Sequence, residues 1–174
     1  DISDATLEPM VERAIAMAKD APQDKHAGLA SVNQLAKQRD LSELEICDPA
    51  TEPSPNKLQE QAEIVESSAM EVVGVSQVSG ASASYGKYSV FMAASNGFTA
   101  NYDRSSNSVS CVAIAGEGSS MERDYDADTR VYQSDLRPSD EIGLTAGLRA
   151  VERLNPRRPA TGNYPVIYLS LIHI

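Results

Sequence analysis

Between residues 72 and 132 apolar and polar positions alternate with the period of two that a half-buried strand requires, and on both sides the period lengthens to that of a helix. Strand-like runs cover residues 72–78, 81–87, 89–95, 98–102 and 108–115. In the last of these Val109, Cys111 and Ala113 alternate with Ser108, Ser110 and Val112, so one face is the more polar. Asn96-Gly97 lies between two of the runs and predicts a hairpin with a two-residue type I′ turn, in which both central residues need φ > 0. Residues 121–133 are polar but carry Tyr125, Val131 and Tyr132, which predicts a further strand or an extended arm.

Three helices flank or precede this meander. Near the start, Asp4 or Thr6 serves as cap with Pro9 in the first turn, and Leu7, Met10, Val11, Ala14, Ile15 and Ala18 recur at helical spacing. That stripe needs a sheet or another helix to cover it. Ala21-Pro22 ends the helix, residues 31–37 predict a short helical turn, and Pro49 and Pro53 mark a linker. Ser54 as N-cap and Pro55 at N1 open the second helix, whose buried stripe is Leu58, Ala62, Val65 and Ala69. The third opens at Pro138-Ser139 with Asp140 and Glu141 in its first turn, buries Ile142, Ala146, Ala150 and Leu154, and stops at Asn155-Pro156. A short strand over 164–168 follows. The order α-β-β-β-α-β predicts an α+β fold, an antiparallel β-meander with helices packed on one face. The helix over 1–22 reads as the closing helix of an incomplete first repeat, 23–53 as a connector, and 54–168 as a second repeat.

Composition narrows the reading. Length 174 and a hydrophobic share of 41% suit one ordinary globular domain, and an aromatic share of 5% without Trp leaves the core to Val, Ile, Leu, Ala and Met. A formal charge of -10 repels phosphate backbones, which argues against direct nucleic-acid binding. Cys47 and Cys111 match no zinc spacing and no secreted disulfide framework, no apolar run reaches the ~20 residues of a membrane span, and no signal peptide opens the chain, so a cytoplasmic location is expected.

Candidate chemistry is sparse. Ser84-x-x-Lys87 and Ser54-x-x-Lys57 have the spacing of serine acyl enzymes, but one falls in a strand and the other at a helix cap. Asp124, Asp126 and Asp128 with Asp135 loosely match a calcium loop, yet Thr129 stands where the required Gly belongs, so a solvated acidic strand is expected. His26 and His173 are too isolated to found a metal site. Residues 78–85, small and alternating, predict a strand that lets a neighbour pack closely or an edge that receives an extended peptide. No catalytic or metal-binding residue is assigned, and substrate- or partner-binding residues stay unknown.

Gly80-Ala-Ser-Ala-Ser84, Ser95-Asn-Gly-Phe98, Val112-Ala-Ile-Ala-Gly116, Met121-Glu-Arg-Asp-Tyr125, Glu141-Ile-Gly143 and Thr161-Gly-Asn-Tyr-Pro-Val-Ile167 together resemble the TldD/PmbA family in its PmbA (TldE) branch, and Ala18-Lys-Asp-Ala-Pro22 and Ala27-Gly-Leu29 fit as well. The resemblance implies a fragment of that family's N-terminal domain, belonging to a cytoplasmic two-subunit metallopeptidase. In such a complex a TldD-type subunit holds zinc through a His-Glu-x-x-x-His motif, and the PmbA-type partner lacks the ligands. It further implies a heterodimer acting on extended peptides such as microcin precursors or antitoxins, with no cofactor in this chain. The family's label as a gyrase modulator implies the alternative of a binding module without peptidase activity. Residues 169–174 depart from the family and resemble a translated sequencing adapter, so a non-native tail is expected.

Overall fold

The structure, a computed structural model, describes residues 3–166. The chain divides into two compact units, one of Asp1–Arg39 with Phe91–Ala100 and one of Asp40–Val90 with Asn101–Ile174.

The larger unit follows from alternation and capping. Helix α2 (Pro55–Met70) starts where Ser54 Oγ accepts the Lys57 N–H at 3.3 Å and Pro55 occupies the first turn, where its missing donor costs nothing. Strands β1 (Val75–Ala93), β2 (Thr99–Ala115) and β3 (Glu122–Arg130) form a three-stranded antiparallel sheet in the order β1-β2-β3. Helix α3 (Ser139–Glu152) follows and ends before Asn155, which takes a left-handed φ of 57°. The five expected strand runs are thus two: 81–87 and 89–95 merge with most of 72–78 into β1, 98–102 merges with 108–115 into β2, and the polar stretch 121–133 supplies β3. Polar residues inside the runs read as breaks, but a ribbon exposed along its length needs no apolar residue at every turn of the pleat. Val75, Val78, Ala81 and Ala83 of β1 all pack against the core, so the first half of β1 does not keep a strict period of two.

β2 puts Val109, Cys111, Ala113 and Ala115 on the helix side, where they meet Val65 and Ala69 of α2 and Ile142, Ala146 and Ala150 of α3. This core contains no aromatic residue and no large side chain beyond Val and Ile among those fully buried. Leu58 and Ala62 are half-buried, as is Leu154, which packs against the core from just past α3. Residues 164–166 adopt no strand, and the remainder of the strand expected over 164–168, with the tail 169–174, lies outside the described residues.

In the smaller unit, helix α1 (Asp4–Asp20) is capped by Ser3, not by Asp4 or Thr6: the Ser3 N–H donates to Thr6 Oγ1 at 3.0 Å. Pro9 therefore sits inside the helix and not in its first turn. The predicted stripe forms, yet α1 buries none of its residues, and Met10 is 63% and Val11 56% exposed. The hairpin tip also belongs to this unit. Only Gly97 has positive φ, +87°, and its N–H donates to the Ala94 carbonyl at 3.0 Å, while Ala94 N–H donates to the Phe98 carbonyl at 2.9 Å. The connection is a three-residue loop closed by a glycine bulge and not the type I′ turn. Asn96 leaves the left-handed region because its side chain is used elsewhere: Oδ1 accepts the Phe98 N–H at 3.1 Å and Nδ2 donates to the Ala30 carbonyl at 2.9 Å.

Candidate functional site

Alternation along β3 directs Asp126 and Asp128 toward the helix side, where both are buried, and leaves Tyr125, Ala127 and Thr129 exposed on the other face. The expected solvated acidic strand is overturned by three arginines of the following segment. Arg137 Nη2 donates to Asp126 Oδ2 at 2.5 Å and Arg149 Nη1 to Asp126 Oδ1 at 2.8 Å, so one carboxylate is clamped from both oxygens. Arg153 pairs with Asp124, and Asp128 Oδ2 accepts the Arg137 backbone N–H at 2.9 Å while its Oδ1 faces Arg130 Nε at 3.1 Å. Every aspartate oxygen pair thus meets a cation or an amide, which makes the cluster a fastener of α3 to β3 and leaves no hard-cation cage.

Hydrogen bonds hold two of these carboxyls below the usual carboxylate range. The Tyr125 N–H and then Arg153 act on Asp124, and the Arg137 N–H and then Arg130 act on Asp128. The folded chain therefore binds fewer protons than the unfolded chain near the ordinary carboxylate range of about 4, so stability rises with pH there. Thermal midpoints measured from pH 7 down to pH 3 should stay level to about pH 5 and then fall as Asp124 and Asp128 protonate; an unchanged midpoint at pH 3 would contradict this.

A second polar cluster ties the connector to the sheet. Buried Ser105 accepts the Asp48 N–H at 2.7 Å on its Oγ, donates the same hydroxyl to the Val131 carbonyl at 3.0 Å, and donates its own N–H to the Ile46 carbonyl at 3.1 Å. Asp48 Oδ2 accepts the Gln133 N–H at 2.9 Å, and Asn107 Nδ2 donates to the Val131 carbonyl at 2.9 Å. These buried polar groups satisfy one another, so they specify the path of the connector and offer no idle acid or base.

The sheet's other face is lined by small hydroxyls. Ser82 Oγ lies 2.9 Å from Ser110 Oγ, and Ser108 Oγ lies 2.9 Å from Thr129 Oγ1 across the register pair Ser108↔Thr129. β1 and β3 are the two edge strands, and the outer edge of β1 has no strand partner among the described residues. In the segment 78–85, Ala81 and Ala83 pack against the core, as expected of a strand whose small residues let a neighbour approach closely.

The remaining sequence candidates come apart. Ser84 and Lys87 are three apart on one strand, so they project from opposite faces, and Lys87 Nζ pairs with Asp103 at 3.6 Å. Lys57 Nζ donates to Gln133 Oε1 at 3.3 Å, away from the capping hydroxyl of Ser54. Asp135 accepts from the neighbouring Ser134 Oγ at 3.3 Å, His26 is exposed beside Asp24, and His173 lies outside the described residues. Cys47 is half-buried and Cys111 buried, both as free thiols, and burial pushes the Cys111 thiol up to about 11, so it stays protonated and unreactive. Among the described residues no group of three His, Cys, Asp or Glu could hold a metal, and no helix is long and apolar enough to cross a membrane. What sequence reasoning missed were the arginine partners, whose only signal was three Asp at every second position followed by Arg137, Arg149 and Arg153.

This geometry defines an α+β module, an antiparallel sheet with helices packed on one face. Residues 1–154 match the sequence profile of the PmbA/TldA metallopeptidase central domain, and the chain belongs to that family. It is 32% identical over 171 residues to the metalloprotease PmbA of Escherichia coli O157:H7, covering 97% of this chain and 37% of that protein. A metalloprotease PmbA homolog of Haemophilus influenzae is 29% identical over 98% of this chain and 37% of its own length, so the chain spans little more than a third of these relatives. A Bacteroides thetaiotaomicron protein named as a candidate modulator of DNA gyrase shares the fold with a TM-score of 0.77 at 23% identity, over 93% of this chain and 37% of that one. TldE from Thermococcus kodakarensis does so at 0.57 and 18%, over 88% of this chain and 33% of that one.

Proposed function

We propose that this chain is a piece of the non-catalytic, PmbA/TldE-type subunit of a cytoplasmic TldD/TldE-type zinc metallopeptidase, and that it helps shape the path of an extended peptide such as a microcin precursor or an antitoxin. The carrying observation is the 32% identity to metalloprotease PmbA along 97% of the chain. Asp124, Asp126 and Asp128 are committed to arginines, and in this reading the zinc is held by the TldD-type partner. In this reading α1 closes an incomplete first repeat, 23–53 connects, and 54–168 forms the second repeat with β1 as its available edge, suited to receiving a backbone in extended form.

Co-purification of the full-length protein with a TldD-type subunit, followed by peptide cleavage with and without chelator, tests this. Chelator-sensitive cleavage that requires both chains is the expected result. No stable complex, or cleavage unchanged when this subunit is left out, overturns it and favours a binding module without a peptidase role.

A further inference from the structure

Acids outnumber bases in this protein by 25 to 15, yet one cavity of about 420 Å³ reverses that balance. It is lined by Tyr88, Arg104, Ser105, Ser106, Thr129, Arg130 and Val131, with two arginines and no acid. It lies where β2 runs past the last β2–β3 pair, Asn107↔Arg130, so Arg104 and Ser106 have no β3 residue opposite them. Arg130 is held from one side only: its Nε meets Asp128 at 3.1 Å, which orients the guanidinium and leaves its two terminal nitrogens for another acceptor. No hydrogen bond or ion pair engages the Arg104 guanidinium, the Ser106 hydroxyl or the Tyr88 hydroxyl among the described residues. The Tyr88 ring is seated over Gly86, where an added Cβ would come within 3.2 Å of its Cε2.

We propose that this cavity is a receptor for a carboxylate of a bound peptide, with Arg104 as the principal cation and Arg130 and the Ser106 hydroxyl as supporting donors. A planar guanidinium matches a carboxylate through two parallel N–H···O bonds, and a single negative charge is the anion that a chain of net charge -10 repels least. A polyphosphate would need more cations than the two present and would meet that repulsion several times over. That the carboxylate arrives on a peptide rests on the function proposed above; that the cavity takes a carboxylate does not.

Saturation-transfer difference NMR with the intact protein reads binding from the ligand side and tolerates weak affinity. The probes are N-acetyl-Ala-Glu-Ala-amide, N-acetyl-Ala-Gln-Ala-amide and N-acetyl-Ala-Gln-Ala with a free C-terminus, with inorganic phosphate as competitor. The expected result is transfer to a carboxylate-bearing probe and not to the neutral one, with affinity lowered about tenfold or more in Arg104→Gln, the loss of one charge-assisted bidentate contact. The arm that binds tells a side-chain carboxylate from a C-terminal one. The Arg104 side chain is exposed and makes no hydrogen bond or ion pair among the described residues, so an unchanged thermal midpoint in Arg104→Gln separates loss of binding from loss of structure. Equal transfer to the neutral probe, no transfer to either carboxylate, no effect of Arg104→Gln, or displacement by phosphate at lower concentration than either carboxylate would each overturn the proposal. None of these readouts involves the zinc-bearing subunit, so failure of the metallopeptidase reading and failure of this one are separately visible.

Discussion

Gly143→Ala is expected to cost at least about 3 kcal/mol of stability, although alanine is the better helix former by about 1 kcal/mol. A Cβ at Gly143 would stand 2.2 Å from the Val65 carbonyl oxygen and 3.1 Å from the Ala69 nitrogen, both backbone atoms of α2. No rotamer change relieves a clash with backbone, so the helices must separate. Separation opens the contacts of Val65, Ala69, Ile142 and Ala146, each of which is fully buried. Gly147 sustains the same approach one turn on, where an added Cβ would meet Val72 Cγ2 at 2.7 Å and the Ala69 carbonyl oxygen at 3.1 Å. For a domain of this size the loss corresponds to a fall in thermal midpoint of roughly 6–12 °C. Gly80→Ala, where nothing lies within 4 Å, is the matched control and should move the midpoint little. If circular dichroism melts of Gly143→Ala and the parent chain coincide, the close packing of α2 on α3 is wrong.

The aspartate–arginine cluster carries the second large effect, and its asymmetry is the informative part. Asp126 is 5% exposed, whereas the side chains of Arg137 and Arg149 are 31% and 49% exposed. Asp126→Ala therefore strands no buried charge, because both guanidinium groups can turn to water, and it should cost about 2 kcal/mol for the lost charge-assisted hydrogen bonds. Removing both arginines leaves the carboxylate buried and unpaired, and that double substitution should cost about 3–5 kcal/mol. Adding Asp126→Ala to the double variant should then recover part of the stability. Urea unfolding of the four chains measures this directly. Additive losses, with no recovery in the triple variant, would mean that Asp126 is solvated in the folded state.

Among the described residues the outer edge of β1 has no strand partner, and Arg104 and Arg130 line a cavity of about 420 Å³.

Features that depend on a few neighbouring residues were legible in the sequence. Ser54-Pro55 starts α2 because a hydroxyl cap and a fixed φ act within one turn, and the alternation from Ser108 to Ala115 marks the buried face of β2 because a pleat repeats every two residues. The α+β order, the three helices and the buried stripes of Val65, Ala69, Ile142, Ala146 and Ala150 follow from the same local rules. Strand boundaries did not, since Ser, Gly and Lys end a strand or continue it depending on what lies alongside. The role of the acidic strand was likewise decided elsewhere. Asp126 and Asp128 look solvated until the segment ahead of α3 returns Arg137, and α3 itself returns Arg149, to their face. Gly143 and Gly147 interrupt a helix pattern by propensity, and only the approach of α2 shows why a hydrogen atom is all that fits. The cavity around Arg104 exists because β3 stops short of β2, which depends on the register between the strands and is written in neither one.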